Sequence, residues 1–172
     1  MLKVPLDAIK TLYPPALADS AWDNTGLLLQ APGENKNKRV MLCIDLTTAV
    51  CGEAIERGAN LVVAYHPIIF RPIKSLTLKD SQQKSLLELA QHGISVYCPH
   101  TAVDAVENGL NHWLAAAVGK SASQNVIQPC GTVVEGHANA GYGLITRLQS
   151  PSTIMDIVTA VKTYLGVEHG KV

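Results

Sequence analysis

Short apolar runs alternate along the chain with segments whose apolar residues recur every three or four positions. "GLLLQ" from Gly26 and "RVMLCID" from Arg39 have the length and β-branched or aliphatic content of strands, separated by the polar stretch "APGENKNK". "TTAVCGEAIERG" from Thr47 places Val50, Cys51, Ala54 and Ile55 at helical spacing and ends on Gly58, so it predicts a helix. "LVVAY" from Leu61 is a further strand. "DSQQKSLLELAQHG" from Asp80 predicts a helix with an aspartate N-cap, an apolar stripe through Leu86, Leu87, Leu89 and Ala90, and a stop at Gly93. "ISVYC" from Ile94 is a strand, and "NGLNHWLAAAVG" from Asn108 is a helix.

This order is βαβ grammar. Right-handed crossovers make the strands at Arg39, Leu61 and Ile94 parallel. The last two are apolar without alternation, as strands covered on both faces are. The expectation is an α/β protein with a parallel or mixed sheet and helices on both faces. After residue 120 the character changes. "GKSASQNVIQPCG" is small and polar and reads as a linker or loop. "GYGLITRL" from Gly141 reads as a strand. "PSTIMDIVTAVKTYLG" from Pro151 reads as a helix with Ile154, Ile157, Val158, Val161, Tyr164 and Leu165 along one face. The closing "VEHGKV" falls where the grammar asks for another strand. The organisation expected is an α/β domain over 1–120, carrying any strand-end crevice, and over 121–172 a linker plus the strand–helix start of a second half.

Composition narrows the function. The chain has 172 residues, 47% hydrophobic and 16% charged, enough apolar content for a real core. Formal net charge is zero, with no basic excess to drive phosphate-backbone binding, so direct nucleic-acid binding is disfavoured. No apolar run reaches membrane-span length, and the start "MLKVPLDAIKTLYPPAL" has neither a signal-peptide core nor an Arg-rich transit pattern. A cytoplasmic or nuclear location is expected. Cys43, Cys51, Cys98 and Cys130 form no CxxC pair and read as reduced thiols.

Ligands bind outside the carboxyl ends of strands in open parallel sheets. Asp45 closes the Arg39 strand, His66 closes the Leu61 strand, and His100 and Asp104 follow the Ile94 strand in "CPHTAVDA". Pro67 biases His66 to extended backbone and removes a strand donor, which ends the strand there. Imidazole plus carboxylate is ligand chemistry for zinc, iron or manganese. The plainer reading is a capping histidine and a surface His–Asp pair. "AWDNTGLLL" has two readings as well: an Asx-type turn with a packed indole, or a turn that brings Asp23 or Asn24 to the rim of the same crevice.

"WDNTGLLL", "CIDLT", "YHPIIFRPIKSLT" and "PHTAVDAVENGLNHWLA" resemble, in order and spacing, the NGG-one-interacting-factor-three-like family, whose bacterial members carry the label GTP cyclohydrolase I type 2. The resemblance implies the amino-terminal half of a two-part α/β protein, assembled as a homo-oligomer that is hexameric in the family. It implies a hydrolase-type site with two divalent metals, held by a His-His-Pro motif, the aspartate of His-Thr-x-x-Asp, and a later His-x-x-x-Glu. On that pattern His66 and Asp104 are metal ligands and His100 is a neighbouring group; in the hydrolase reading Asp45 or His100 is the catalytic group that orients the attacking water. The first histidine of the pair is Tyr65 here, as in the family's eukaryotic branch, and no His-x-x-x-Glu occurs in this chain. A phenol is a poorer ligand than imidazole. The resemblance therefore implies weak or absent metal in this chain and little hydrolysis by it alone. The other role it implies is non-catalytic regulation or scaffolding through contact with a transcriptional adaptor protein.

Overall fold

The computed structural model describes residues 2–33 and 35–170; position 34 of the expected polar loop and the last two residues of the expected closing segment lie outside it. The chain forms two compact units, residues 1–102 and 103–172.

The first unit is built on a four-stranded sheet in the order β1-β4-β3-β2. Its strands are β1 (Gly26–Leu29), β2 (Val40–Cys43), β3 (Leu61–Ala64) and β4 (Ser95–Cys98). Strands β2, β3 and β4 are parallel, and β1 joins β4 antiparallel, with Gly26 opposite Cys98. The sheet is mixed, as the sequence pattern allows. Helices α2 (Thr48–Glu56) and α3 (Ser81–Gln91) supply the two crossovers. Each starts on the residue type that frees the least backbone: Thr47 accepts the Val50 N–H, and Asp80 accepts the Gln83 N–H at 2.9 Å.

Residues of β3 and β4 alternate between two apolar layers. Val62, Ala64 and Val96 pack with Cys51, Ala54, Leu86 and Leu89 of α2 and α3. Leu61 and Tyr97 point the other way, against Leu6 and Ile9 of α1 (Lys3–Leu12). Both faces are therefore covered, which explains the unbroken apolar runs. Each fully buried leucine here contributes about 1.5–3 kcal/mol relative to exposure. Helix α1 was not legible as an element in the sequence. Its Pro5 sits in the first turn, where the amide has no intrahelical partner to lose.

Helix α4 (Thr101–Ala105) carries the chain across the boundary between the units. The second unit contains α5 (Leu110–Ala116), a long antiparallel hairpin of β5 (Ser121–Pro129) and β6 (Gly141–Leu148), and α6 (Ile154–Leu165). The segment expected as a linker is thus a nine-residue strand. Nearly all of its side chains are exposed, so the backbone ladder with β6, not apolar burial, holds it, and a hydrophobic pattern could not reveal it. Helix α6 opens with a Thr153–Asp156 capping box and ends on left-handed Gly166. Its apolar face is largely uncovered: Ile154, Tyr164 and Leu165 are all exposed. None of the four cysteines is in a disulfide.

Candidate functional site

Three parallel strands end at one rim, and each delivers a titratable residue two positions past its last strand residue. Asp45 follows Cys43, His66 follows Ala64, and His100 follows Cys98. The loops after β2 and β3 run together: the Tyr65 and His66 amides donate to the Cys43 and Ile44 carbonyls, each at 2.9 Å. This backbone pairing continues the ladder beyond the strands and brings His66 to Asp45. The His66 Nδ1–H donates to Asp45 Oδ1 at 2.8 Å, and both side chains are at least half exposed.

His100 has a different setting. Its Nδ1–H donates at 2.6 Å to Oδ1 of Asp23, whose side chain is 1% exposed. Thr101 donates twice to the other oxygen, through its hydroxyl and through its amide at 3.2 Å. The Asn24 amide adds a bond to Oδ1 at 2.7 Å, and Thr101 Oγ1 itself accepts the Asp19 amide at 3.0 Å. Burial pushes the Asp23 carboxyl up, but the Thr101 hydroxyl, the His100 bond and charge, and the Thr101 amide together outweigh it. The net direction is below the usual carboxylate range. An ionised carboxylate only accepts, so Nδ1 of His100 is the donor in this bond and Nε2 lies outside it. His66 makes the corresponding Nδ1 contact to Asp45. Two imidazoles thus stand with ring centroids 5.8 Å apart, each oriented by its own aspartate.

His100 adopts φ of 32°, a left-handed conformation uncommon outside glycine. Rings crowd around it: Tyr65 at 5.6 Å, Trp22 at 5.9 Å and Phe70 at 6.4 Å between centroids. Trp22 is 54% exposed and Phe70 47%, so the indole is a rim group and not the packed one expected of a plain turn. Asn24 Nδ2–H donates to the Ile69 carbonyl and ties the "WDNTG" turn to the loop after β3. Beneath the rim, Cys98 donates its thiol to the Tyr65 carbonyl at 3.0 Å, and burial pushes that thiol up to about 12.

The structure therefore brings together Asp45, His66 and His100, and adds Asp23, which the sequence offered only as one of two readings. Asp104 lies on α4, one turn past Thr101, within the second unit. Its backbone carbonyl accepts from the Asn111 side chain at 2.9 Å. A metal centre of the kind the resemblance implies needs at least three protein donors. Carboxylate-held imidazoles are the right donor type. Even so, no group of three or more His, Cys, Asp or Glu able to hold a metal occurs among the described residues. The donors present do not make a complete centre.

An α/β sheet with paired histidines at the carboxyl ends of its strands defines a strand-end site of the open-sheet class. The chain belongs to the Duf34/NIF3 (NGG1p interacting factor 3) family, whose model matches residues 2–172. It is 46% identical over 168 residues to a protein NIF3 homolog of Schizosaccharomyces pombe, covering 95% of this chain and 60% of that protein. It is 37% identical over 176 residues to NGG1-interacting factor 3 of Saccharomyces cerevisiae, covering 96% and 60%. A GTP cyclohydrolase 1 type 2 homolog of Streptococcus pneumoniae is 36% identical over 125 residues, covering 73% and 44%. The chain spans about 60% of the length of the two yeast relatives. Among solved structures, a hypothetical protein of Staphylococcus aureus superposes with a TM-score of 0.77 at 23% identity, covering 96% of this chain and 64% of that one. A Bacillus cereus protein related to NIF3 superposes at 0.64 with 32% identity, covering 73% and 34%. No helix among the described residues is long and apolar enough to cross a membrane.

Proposed function

We propose that this chain carries one half of a hydrolase-type site acting on a small molecule. The observation that carries the reading is the pair of imidazoles, His66 and His100, each held through Nδ1 by a carboxylate and 5.8 Å apart. An imidazole fixed in that tautomer offers Nε2 to a proton, the general-base arrangement. His66, exposed at the rim, is the group positioned to take a proton from water; Asp45 holds its orientation. His100, locked by buried Asp23, is the rigid second nitrogen. A divalent transition metal, zinc, iron or manganese, would need donors beyond these two, and Asp104 and residues in the unmatched part of the relatives' length are the candidates. No step is derived through such a metal, and metal binding by this chain alone is weak in this reading.

Titration of the 172-residue chain with manganese or zinc, followed by the ring signals of His66 and His100, tests the half-site. Tyr65→His adds the missing neighbour of His66 and is expected to tighten binding by about tenfold or more. His66→Ala is expected to abolish the response. An unchanged affinity in Tyr65→His would overturn the reading.

The second reading is regulation through protein contact, with a transcriptional adaptor as the kind of partner that the Saccharomyces relative's name records. Exposed Trp22 and Phe70 at the rim favour it, because aromatic rings are enriched at protein interfaces. Homo-oligomerisation belongs to the same reading: the edge strand β2 presents exposed Leu42, and Ile44 follows it, also exposed. Light scattering separates a monomer from an assembly.

A further inference from the structure

The open edge of the first sheet is apolar along its length and charged only at its two ends. Strand β2 is the last in the order β1-β4-β3-β2, so one of its sides has no neighbour in the sheet. The Cys43 carbonyl faces β3, where it accepts the Tyr65 amide at 2.9 Å. Successive residues of a strand turn their backbone groups to opposite sides, so the amide and carbonyl of Leu42 face the open edge. Native sheets blunt such edges with charge, proline or a bulge, and Val40–Cys43 contains none of these.

The side chains carry a second pattern. Val40 pairs with Leu61 and Leu42 with Val63, residues that pack with Leu6 and Ile9 of α1. The cover of α1 ends there: Val40, Leu42 and Ile44 are 39%, 75% and 65% exposed. Arg39 precedes them and Asp45 follows, both exposed. Arg39 donates to the Arg57 carbonyl and makes no ion pair among the described residues. Antiparallel pairing of this segment with itself about Leu42 sets Leu42 opposite Leu42, Val40 opposite Ile44, Met41 opposite Cys43 and Arg39 opposite Asp45. Centred on Met41 or on Cys43 instead, Arg39 meets Cys43 or Thr47, and the central backbone groups face β3 rather than the open edge. The direction of the backbone groups and the placement of the charges thus select the same centre.

We propose that two copies of this chain pair their β2 edges antiparallel about a two-fold axis at Leu42, making one eight-stranded sheet in which Arg39 of each copy meets Asp45 of the other. A two-fold contact is self-complementary, so the Arg39–Asp45 and Val40–Ile44 pairs each occur twice. Three exposed apolar side chains from each copy leave water together on one face. Asp45 is also the carboxylate that orients His66, so each copy sends an arginine to the rim of the other. That last consequence rests on the half-site reading; the pairing itself does not.

Sedimentation velocity of the 172-residue chain and its variants tests the proposal. The parent is expected to be dimeric at about 100 μM. Leu42→Glu, a change at an exposed position, sets two like charges on the axis and is expected to give a monomer. Arg39→Glu and Asp45→Arg are each expected to weaken the dimer by about tenfold or more, because each turns two attractive pairs repulsive. Mixing these two variants brings opposite charges together at both positions again, and the mixture is expected to dimerise like the parent. Opposed residues of a bonded antiparallel pair have Cα atoms about 5.5 Å apart, within disulfide reach. Leu42→Cys is therefore expected to form an intermolecular disulfide on mild oxidation, with the parent as the control for its own cysteines. Val40→Cys and Ile44→Cys are expected to cross-link with each other and not alone. His66→Ala is expected to keep the dimer, so that loss of the half-site and loss of this pairing are told apart. A parent that is monomeric at about 100 μM, a dimer that survives Leu42→Glu, a mixture no better than its two components, or a dimer lost in His66→Ala overturns the proposal.

Discussion

Asp23 Oδ1 lies 2.6 Å from His100 Nδ1, across 77 residues of sequence, and four hydrogen bonds converge on its carboxylate. The contact joins the turn before β1 to the turn after β4 and fixes the imidazole that faces the rim. Asp23→Asn replaces an acceptor that serves both His100 and Thr101 with a group that also donates. The variant is expected to lose about 2–3 kcal/mol of stability, the range for buried hydrogen bonds to a charged group. Thr101→Val removes one neutral donor and is expected to lose about 1 kcal/mol. Urea unfolding midpoints of the three proteins check both values; a Thr101→Val loss equal to that of Asp23→Asn would show that the carboxylate is not the centre of this network.

The same carboxylate gives the fold a pH signature. Its folded pKa lies below the ordinary aspartate value, so the unfolded chain binds more protons across the interval between the two. The resulting stabilisation is complete above the unfolded value of about 4 and is lost as the pH falls through the folded value. Unfolding free energy measured from pH 6 downward is expected to drop on the acid side of about pH 4, and Asp23→Asn is expected to flatten that drop. A slope that is the same in the variant would assign the acid sensitivity elsewhere.

His100 combines an important side chain with an unfavourable backbone. At φ of 32° a β-branched residue is strained, whereas asparagine tolerates this region. His100→Val and His100→Asn both lose the imidazole, so their difference isolates the backbone. His100→Val is expected to be less stable than His100→Asn by about 1–2 kcal/mol. Equal stabilities would mean that the turn relaxes to ordinary geometry once the Asp23 contact is gone.

The rim was legible in the sequence because its rules are local. Apolar runs without alternation mark strands buried on both faces, their polarity follows from the crossovers, and Pro67 and Pro99 mark where the runs stop at His66 and His100. Asp23 was not legible as the partner of His100, because that contact depends on a tertiary choice. Antiparallel insertion of β1 beside β4 sets Gly26 opposite Cys98, which in turn sets residues just before β1 against residues just after β4. No pattern within either segment encodes that register. Strand β5 escaped notice for a related reason: its stability comes from a partner 20 residues on, and its exposed side chains carry no alternation.

Cysteine reactivity offers an independent check on the packing beneath the rim. Cys98 is fully buried, donates to the Tyr65 carbonyl, and has its thiol pushed up to about 12 by burial, with the neighbouring charge of Asp23 adding to the rise. Cys51 is equally buried and also raised by burial; burial raises Cys43 and Cys130 too, but these two are partly accessible, and accessibility is what separates the pairs. The thiolate is the reactive form, so both accessibility and ionisation protect Cys98. Iodoacetamide at neutral pH is expected to modify Cys43 and Cys130 in the native protein, and to reach Cys51 and Cys98 only after denaturation. Peptide mapping that found Cys98 alkylated first would contradict the burial of the strand end.

In the hairpin of the second unit, Gly141 is a point where an added side chain would run into the backbone of the paired strand. A Cβ on Gly141 would lie 2.2 Å from Val126 Cγ1, 2.4 Å from the Gln128 carbonyl oxygen and 2.9 Å from Pro129 Cα, well inside contact distance. Two of those atoms are backbone of the paired strand, so relief requires the ladder itself to move. Gly131, in the connection between β5 and β6, has open space around the corresponding position. Gly141→Ala is therefore expected to destabilise the second unit by about 1–3 kcal/mol, the range for overpacking. Gly131→Ala is expected to lie within about 0.5 kcal/mol of the parent. Hydrogen exchange of the amides that bond β5 to β6 reads the difference directly: protection lost in Gly141→Ala and kept in Gly131→Ala supports the register in which Gly141 opposes Pro129, and equal protection in the two variants contradicts it.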